Sequence, residues 1–443
     1  MSAPYEVPKR GTPGIVEFPG SVELLPNGHI LIADGGDELG FGSEVVEVDL
    51  LGNVVWTYHE GLSFVHTARP TRRGTILITD TTNDRLLEIT YDKKILMDST
   101  KWTNNTGRLS DGSHLSYPND AYELNDDELL VTDRNNDRVL IVDRHGNVKW
   151  EYDKDILHPH NAHPTQKGTI LICDSDHDRI IEVNLKKEII WSYGDNPKQQ
   201  LKWPRHTIRL SNGNTIITDS KNARVIEVTP NGEIVWSWKV EYFAKFYETK
   251  ILPNGNFLIS DQQHHQVLEI DRAGNVVWLF RNYRTIGPIF DKLINGSFKE
   301  VDGDVPKGWF LAKRHSEGGG RLIWDTNHKP YPCPGLDFDR DGMLYLGQLV
   351  SVKPGKFYTL AGDVKTEDVR GAASLMMCFL DSYGGQIFDI TDIPQTDPFI
   401  GTHDWTSTYV EAPAPKNATC VEIRFYISGP GKAWIKNVMF HEG

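Results

Sequence analysis

Residues 158–193 read HPHNAHPTQKGTILICDSDHDRIIEVNLKKEIIWSY, and the order of features in them decides the fold. A run opening on His-Pro-His leads through a turn to an apolar strand ending in Asp174. A polar turn follows, then a second apolar strand opening on Arg179, then a last strand carrying Trp191. The same order recurs along the chain. Middle strands HILIAD, TILITD, ELLVTD, TILICD, NTIITD and NFLISD end at Asp34, Asp80, Asp133, Asp174, Asp219 and Asp261. The closing strands carry GNVVWTY, KKILMDS, GNVKWEY, KEIIWSY, GEIVWSW and GNVVWLF. Short β-rich runs, Asn-Gly turns and a period near the ~40–45 residues of propeller repeats predict four-stranded blades. One blade cannot cover both of its faces, so neighbours must stack around a ring. The fold class expected is all-β. A six-bladed β-propeller spans residues 15–283 after an N-terminal extension, 1–14, and a C-terminal β-sandwich (jelly roll) spans 284–443.

The chain has 443 residues and a formal net charge of −14, which argues against a nucleic-acid or anionic-membrane partner. Met1 to Gly14 is polar and holds no apolar signal core, and no later stretch is long enough for membrane insertion. Cys173, Cys333, Cys378 and Cys420 form no CxxC pair, so redox compartment and disulfide status stay open.

Repetition separates structure from function. Trp56, Trp150, Trp191, Trp236 and Trp278 recur at one position, with Met97 in the second repeat, and read as packing between blades. The strand-end Asp and the Arg at 85, 138, 179 and 224 read as turn pairs. Chemistry belongs where equivalent positions are filled differently. Thirteen or fourteen residues before each strand-end Asp stand Ser21, His66, Asn119, His160, His206 and Glu248. These open the innermost strands and are expected to converge on one mouth of the channel, with Arg205, His158, Asp120 and Asn161 close by. The insertion from Trp102 to His114 is expected to overhang that mouth. Two chemistries fit. His66, His160, His206 and Glu248 could ligate Zn or Mn with a position left open. Alternatively one neutral His is a nucleophile, another the acid/base, and Arg205 the anion clamp, with Asn119 in the same catalytic set.

The segments HNAHPTQKGTILICDSDHDRIIEV, HTIRLSNGNTIITDSKNARVIEV and GNVVW resemble the arylsulfotransferase superfamily of six-bladed propellers, over roughly residues 18–283. That resemblance implies channel histidines and an arginine handling a sulfuryl group, with one His transiently sulfated. By position it implies His66, His160, His206 and Arg205. Farther on, LINGSFKEVDGDVPKGW, YLGQLVSVKPGKFYTLAGDVK, HDWTSTYVEAP and GKAWIKNVMF resemble carbohydrate-binding modules of jelly-roll fold. The resemblance implies sugar stacking on aromatics, with Trp309, Trp324, Tyr331 and Trp405 as candidates. The run Asp337, Asp339, Asp341 resembles a calcium loop. Gln348 stands where an EF-hand has its bidentate Glu, so a hairpin turn is expected, with structural Ca as the alternative.

The function expected is a propeller enzyme, a transferase or a lyase. It acts on a carbohydrate or on a small anionic or aromatic group, most concretely by sulfuryl transfer. The alternatives are a metal-dependent polysaccharide lyase or hydrolase using the His/Glu ring, and a non-catalytic glycan-binding scaffold. The sugar-binding-like segment alone points to an extracellular or periplasmic setting, and no signal peptide precedes it.

Overall fold

The structure is a computed structural model. It describes the chain apart from residues 1–12, 37–39, 41, 241–243, 283–288, 315–319, 327–330, 340–341, 382–383 and 389–391. The chain divides into two compact units, one ending at Tyr283 and the other running from Arg284 to Gly443.

In the first unit each repeat folds as an antiparallel four-stranded meander, and there are six such sheets. The first blade runs through Pro19–Leu24, Ile30–Asp34, Glu44–Val48 and Val54–Tyr58. The sixth runs through Phe246–Ile251, Phe257–Asp261, Gln266–Ile270 and Val276–Phe280. Middle strands are buried along their length, save Glu128 at the start of the third blade's, because β-branched side chains on both faces pack against neighbouring blades. Each innermost strand lies beside that of the next blade, and the first meets the sixth.

The repeated tryptophans join blade to blade through their indole N–H as well as their rings. Trp56 donates to Tyr91 O at 2.9 Å, Trp150 to Leu185 O at 3.0 Å, and Trp191 to Pro230 O at 2.9 Å. Trp236 donates to Arg272 O, and Trp278 closes the circle on Leu50 O, both at 2.9 Å. The second blade has Met97 at this position, and there Trp102 donates to Arg144 O at 2.9 Å. Trp102 is buried among Leu77, Leu86, Met97 and Leu115. The insertion therefore restores an interblade tryptophan. Its Trp does not overhang the channel, because burying the indole outweighs leaving it at a rim.

Asp80, Asp133, Asp174 and Asp219 each take the Nε–H of Arg85, Arg138, Arg179 and Arg224 at 2.6–2.7 Å. They also accept the backbone N–H of Ser63, Ser116, Leu157 and Lys202. These pairs fix the turn leading into each innermost strand. In the sixth blade His264, which is buried, and Gln266 take the arginine's place on Asp261.

The second unit is built on one nine-stranded sheet curled about the long strand Phe357–Leu380. That curled sheet fits a β-sandwich. The acidic run is not a hairpin: Cys333–Phe338 pairs with Arg321–Asp325 and Gly431–Glu442, whereas Met343–Ser351 pairs with Cys420–Ser428. The run is thus a crossover. Arg321 sits on Asp337 Oδ2 at 3.0 Å, Gln348 is spent on Ile294 and Gly308, and Asp341 lies outside the described residues.

Candidate functional site

A β-bulge at the start of the innermost strands sets the site. Pro19, Val65, Pro118, Pro204 and Phe246 each pair with the strand-end Asp of their blade, and the register shifts just after them. The fourth blade follows suit, with His160 N–H on Cys173 O and Asn161 paired to Cys173. Equivalent residues are therefore fourteen positions before the Asp in every blade: Gly20, His66, Asn119, His160, Arg205 and Tyr247. Next in line are Ser21, Thr67, Asp120, Asn161, His206 and Glu248. The six residues expected to form one ring come from both layers. An extra residue in a bulge breaks simple alternation, and the two offsets, thirteen and fourteen, are two adjacent columns rather than one ring.

The deeper layer is a closed ionic plug. His206 Nε2 meets Glu248 Oε1 at 3.0 Å and Tyr122 Oη at 3.2 Å. Glu248 also faces Arg69 at 2.9 Å and Lys250 at 3.3 Å. Arg69 forks onto Asp120 with two contacts of 2.8 Å, and Asn161 reaches Asp120 at 2.6 Å. Burial alone would push the Glu248 carboxyl up, but Arg69, Lys250 and His206 hold it well below the usual range. The expected metal set His66, His160, His206 and Glu248 is split between layers, and its Glu and one His are committed to cations and Tyr122. Among the described residues, no group of three or more His, Cys, Asp or Glu that could hold a metal ion comes together.

The upper layer is different. His66 Nδ1 is 2.8 Å from Thr81 Oγ1, whose own proton goes to Pro118 O at 2.8 Å. His66 must therefore donate from Nδ1 and keep its lone pair on Nε2. His160 Nδ1 lies 3.1 Å from His158 O, which can only accept, and the same tautomer follows. Burial, then Arg205 and Arg134, drive both imidazoles well below their ordinary pKa, so both are neutral. Arg205 is 7% exposed, and burial pushes it down to about 10, still charged at neutral pH. It touches Gln262 and lies over Trp203 at 4.3 Å and Tyr247 at 4.8 Å. Arg134 lies over Tyr117 at 5.4 Å. Every propeller arginine described above as a turn or plug partner has a carboxylate, whereas neither Arg205 nor Arg134 has one among the described residues. Arg205 Nε, Arg134 Nε, Asn119 Oδ1 and Gln262 Nε2 are buried polar atoms without a protein partner.

Asn119 bridges the layer, donating to His160 O at 3.1 Å and to Tyr247 Oη. Aromatic rings wall it: Phe64 and Tyr247 stand 5.0 and 5.4 Å from His66, and Trp203 stands 4.8 Å from His160. Sequence reasoning placed His66, Asn119, His160 and Arg205 here and missed Arg134, Tyr247, Thr81 and Gln262. Three of those four directly follow a strand-end Asp, a column that varies among the blades (Gly35, Thr81, Arg134, Ser175, Ser220, Gln262), which was a readable signal.

Residues 116–266 match the family model described as arylsulfotransferase (ASST). That span holds Asn119, His160, Arg205, Tyr247 and Arg134, and leaves His66 outside. The propeller is thus enzyme-like. The chain is 30% identical over 88 residues to an uncharacterized HTH-type transcriptional regulator, YbfP, of Bacillus subtilis (strain 168). That match covers 20% of this chain and 29% of the relative, under a third of its length. Among solved structures, a streptogramin B lyase is similar at 13% identity and TM-score 0.45, covering 60% of this chain and 84% of that one. Virginiamycin B lyase from Staphylococcus aureus is similar at 12% and 0.44, covering 60% and 85%. At these scores the likeness adds nothing to the fold already described.

In the second unit the expected sugar-binding aromatics do not form one face. Trp309 is 6% exposed and packs on Phe298 at 5.2 Å, so it is core. Trp324 is half-buried on an edge strand, with three strands between it and the one bearing Trp405. Trp405 carries Lys436 over its ring at 4.2 Å, and exposed Tyr331 carries Lys299 at 5.0 Å.

Proposed function

We propose that the propeller is a sulfuryl transferase, with His160 Nε2 as nucleophile and Arg205 and Arg134 as the clamp for the sulfuryl oxygens. One observation carries this reading: buried Arg205 and half-buried Arg134, neither paired with a carboxylate among the described residues, act on two neutral imidazoles whose Nε2 lone pairs no described residue takes up. Guanidinium forks suit tetrahedral oxyanions, and a neutral imidazole is a nucleophile where an imidazolium is not. In the donor half-reaction Nε2 attacks sulfur, the S–O bond to an aryl leaving group breaks, and the phenolate departs. His158 O, accepting from Nδ1–H, supports the positive charge that develops on the ring. Phe64, Tyr117, Trp203 and Tyr247 favour a small aromatic donor or acceptor. A glycan-linked acceptor delivered by the second unit is a finer version of the proposal, supported by Tyr331 and Trp405. Retention of the full chain on polysaccharide gels, lost in Trp405→Ala, tests it.

The decisive experiment incubates the purified chain with an aryl sulfate and looks for the mass of one SO3 on the peptide bearing His160. Phenol release with that adduct, both lost in His160→Ala, is the expected result. An adduct confined to the His66 peptide would move the nucleophile to His66. Stoichiometric Zn or Mn, lost in His160→Ala and required for turnover, would overturn the transferase in favour of a metal-dependent lyase.

A further inference from the structure

An acceptor hydroxyl must shed a proton, and the upper layer has poor takers for it. His66 and His160 are buried beside Arg134 and Arg205, where an imidazolium would sit against guanidinium. One pair on the same rim is arranged the other way. His158 opens the inner segment of the fourth blade in left-handed backbone, φ 44°. Asp137 Oδ1, from the third blade, holds its backbone N–H at 2.7 Å, and its carbonyl receives His160 Nδ1–H. Its ring Nδ1 lies 2.6 Å from Asp176 Oδ2. The other oxygen of Asp176 accepts Trp203 Nε1–H at 2.9 Å, and Trp203 is the ring that touches both His160 and Arg205. A carboxylate only accepts, so His158 keeps its proton on Nδ1 and presents Nε2 as a lone pair. No described residue occupies that Nε2. The side chains of His158 and Asp176 are 36% and 32% exposed, so a captured proton can leave to water. The imidazole is paired with Asp176, and Asp137 holds the backbone N–H beside it; Arg134 acts on Asp176, while Arg205 and Lys221 lie over Trp203, the ring bonded to the other oxygen of Asp176.

We propose that the His158–Asp176 pair is the general base of the acceptor half-reaction. The proposal rests on the sulfuryl-transfer reading. As the acceptor oxygen bonds to sulfur, the Nε2–S bond of His160 breaks and its electron pair returns to Nε2. The acceptor's O–H proton moves to His158 Nε2 and is then lost to solvent. Asp176 holds the ring in the needed tautomer and offsets the imidazolium charge, as carboxylates do for catalytic histidines.

The test loads the full chain with an aryl sulfate, then follows discharge of the SO3 adduct to phenols of graded acidity by rapid quench. In His158→Gln the adduct still accumulates. Its discharge to weakly acidic phenols should slow by about 10²–10⁴-fold, the usual worth of a general base. Discharge to strongly acidic phenols, which arrive already ionised, should slow far less. Asp176→Asn should show the same dependence on phenol acidity with a smaller loss. Slowing that is equal for all phenols, or no slowing in either variant, overturns the pair as a base. Absence of any adduct in the unaltered chain overturns the transferase reading itself, so the two failures are told apart.

Discussion

Arg205 concentrates the chemistry of single residues. It is a buried cation whose neighbours are aromatic rings and an amide rather than a carboxylate. Replacing it with Ala should cut kcat/KM for an aryl sulfate by about 10²–10³-fold, the typical loss for one charge-stabilising donor. The same substitution has a pH signature. The His160 pKa is depressed below the ordinary 6.5 by burial, Arg205 and Arg134. A depressed imidazole stays neutral as pH falls through 6.5, so the donor step should hold its rate from pH 8 down to about 6. In Arg205→Ala one opposing cation is gone, and the acid limb should move to higher pH. Single-turnover phenol release against pH measures it, and an unmoved limb would mean that Arg205 does not act on His160. The histidines themselves were legible as residue types at repeated offsets. Their tautomers were not, because those depend on Thr81 and on the carbonyls of Pro118 and His158.

At the scale of the element, the first blade lacks the arginine that four of its counterparts have. Asp34 faces Glu44 across the strand pair where Asp80 faces Arg85. Asp34 accepts backbone N–H groups of Glu17, Phe18 and Gly36, and Glu44 accepts that of Gly14 at 2.7 Å. Burial pushes Asp34 up to about 7, and burial with the Asp34 charge pushes Glu44 up to about 8. Carboxyls with raised folded-state pKa favour folding when protonated. The stability they contribute is full below the ordinary carboxylate range near 4 and is lost as pH rises to about 8. Glu44→Gln removes one such group and keeps the oxygen that Gly14 needs. It should therefore be more stable than the parent at pH 8.5 by about 1–3 kcal/mol, and the gain should vanish near pH 4. Chemical denaturation at the two pH values decides it, and an equal shift at both would refute the buried pair. The bulges that split the ring in two belong to this scale as well. Strand content and order follow from alternation and turn residues, whereas a bulge depends on how each strand meets its partner.

The whole propeller depends on circular continuity. Val16 packs with Leu252, Leu258 and Phe280, and Trp278 bonds to the first blade, so the seam between ends is sealed by both. Trp102 is an interblade tryptophan supplied by the insertion. Trp102→Ala empties a site 4% exposed and should cost about 3–5 kcal/mol, read as a lowered Tm with the propeller's β spectrum kept. A loss near zero would mean that the second and third blades close without it. Six repeats of apolar strands, turn residues and spaced tryptophans determined the propeller, because those preferences are local and each blade repeats them. The sequence also determined which columns vary, and so where chemistry could stand. Only the tertiary structure decided which variable residues share a layer. It committed His206 and Glu248 to an ionic plug, and gathered His160, His66, Arg205 and Arg134 above it. The reason is physical: partners such as Arg69 and Glu248, or Asn119 and Tyr247, are brought together by closing the ring, and no local spacing encodes that distance.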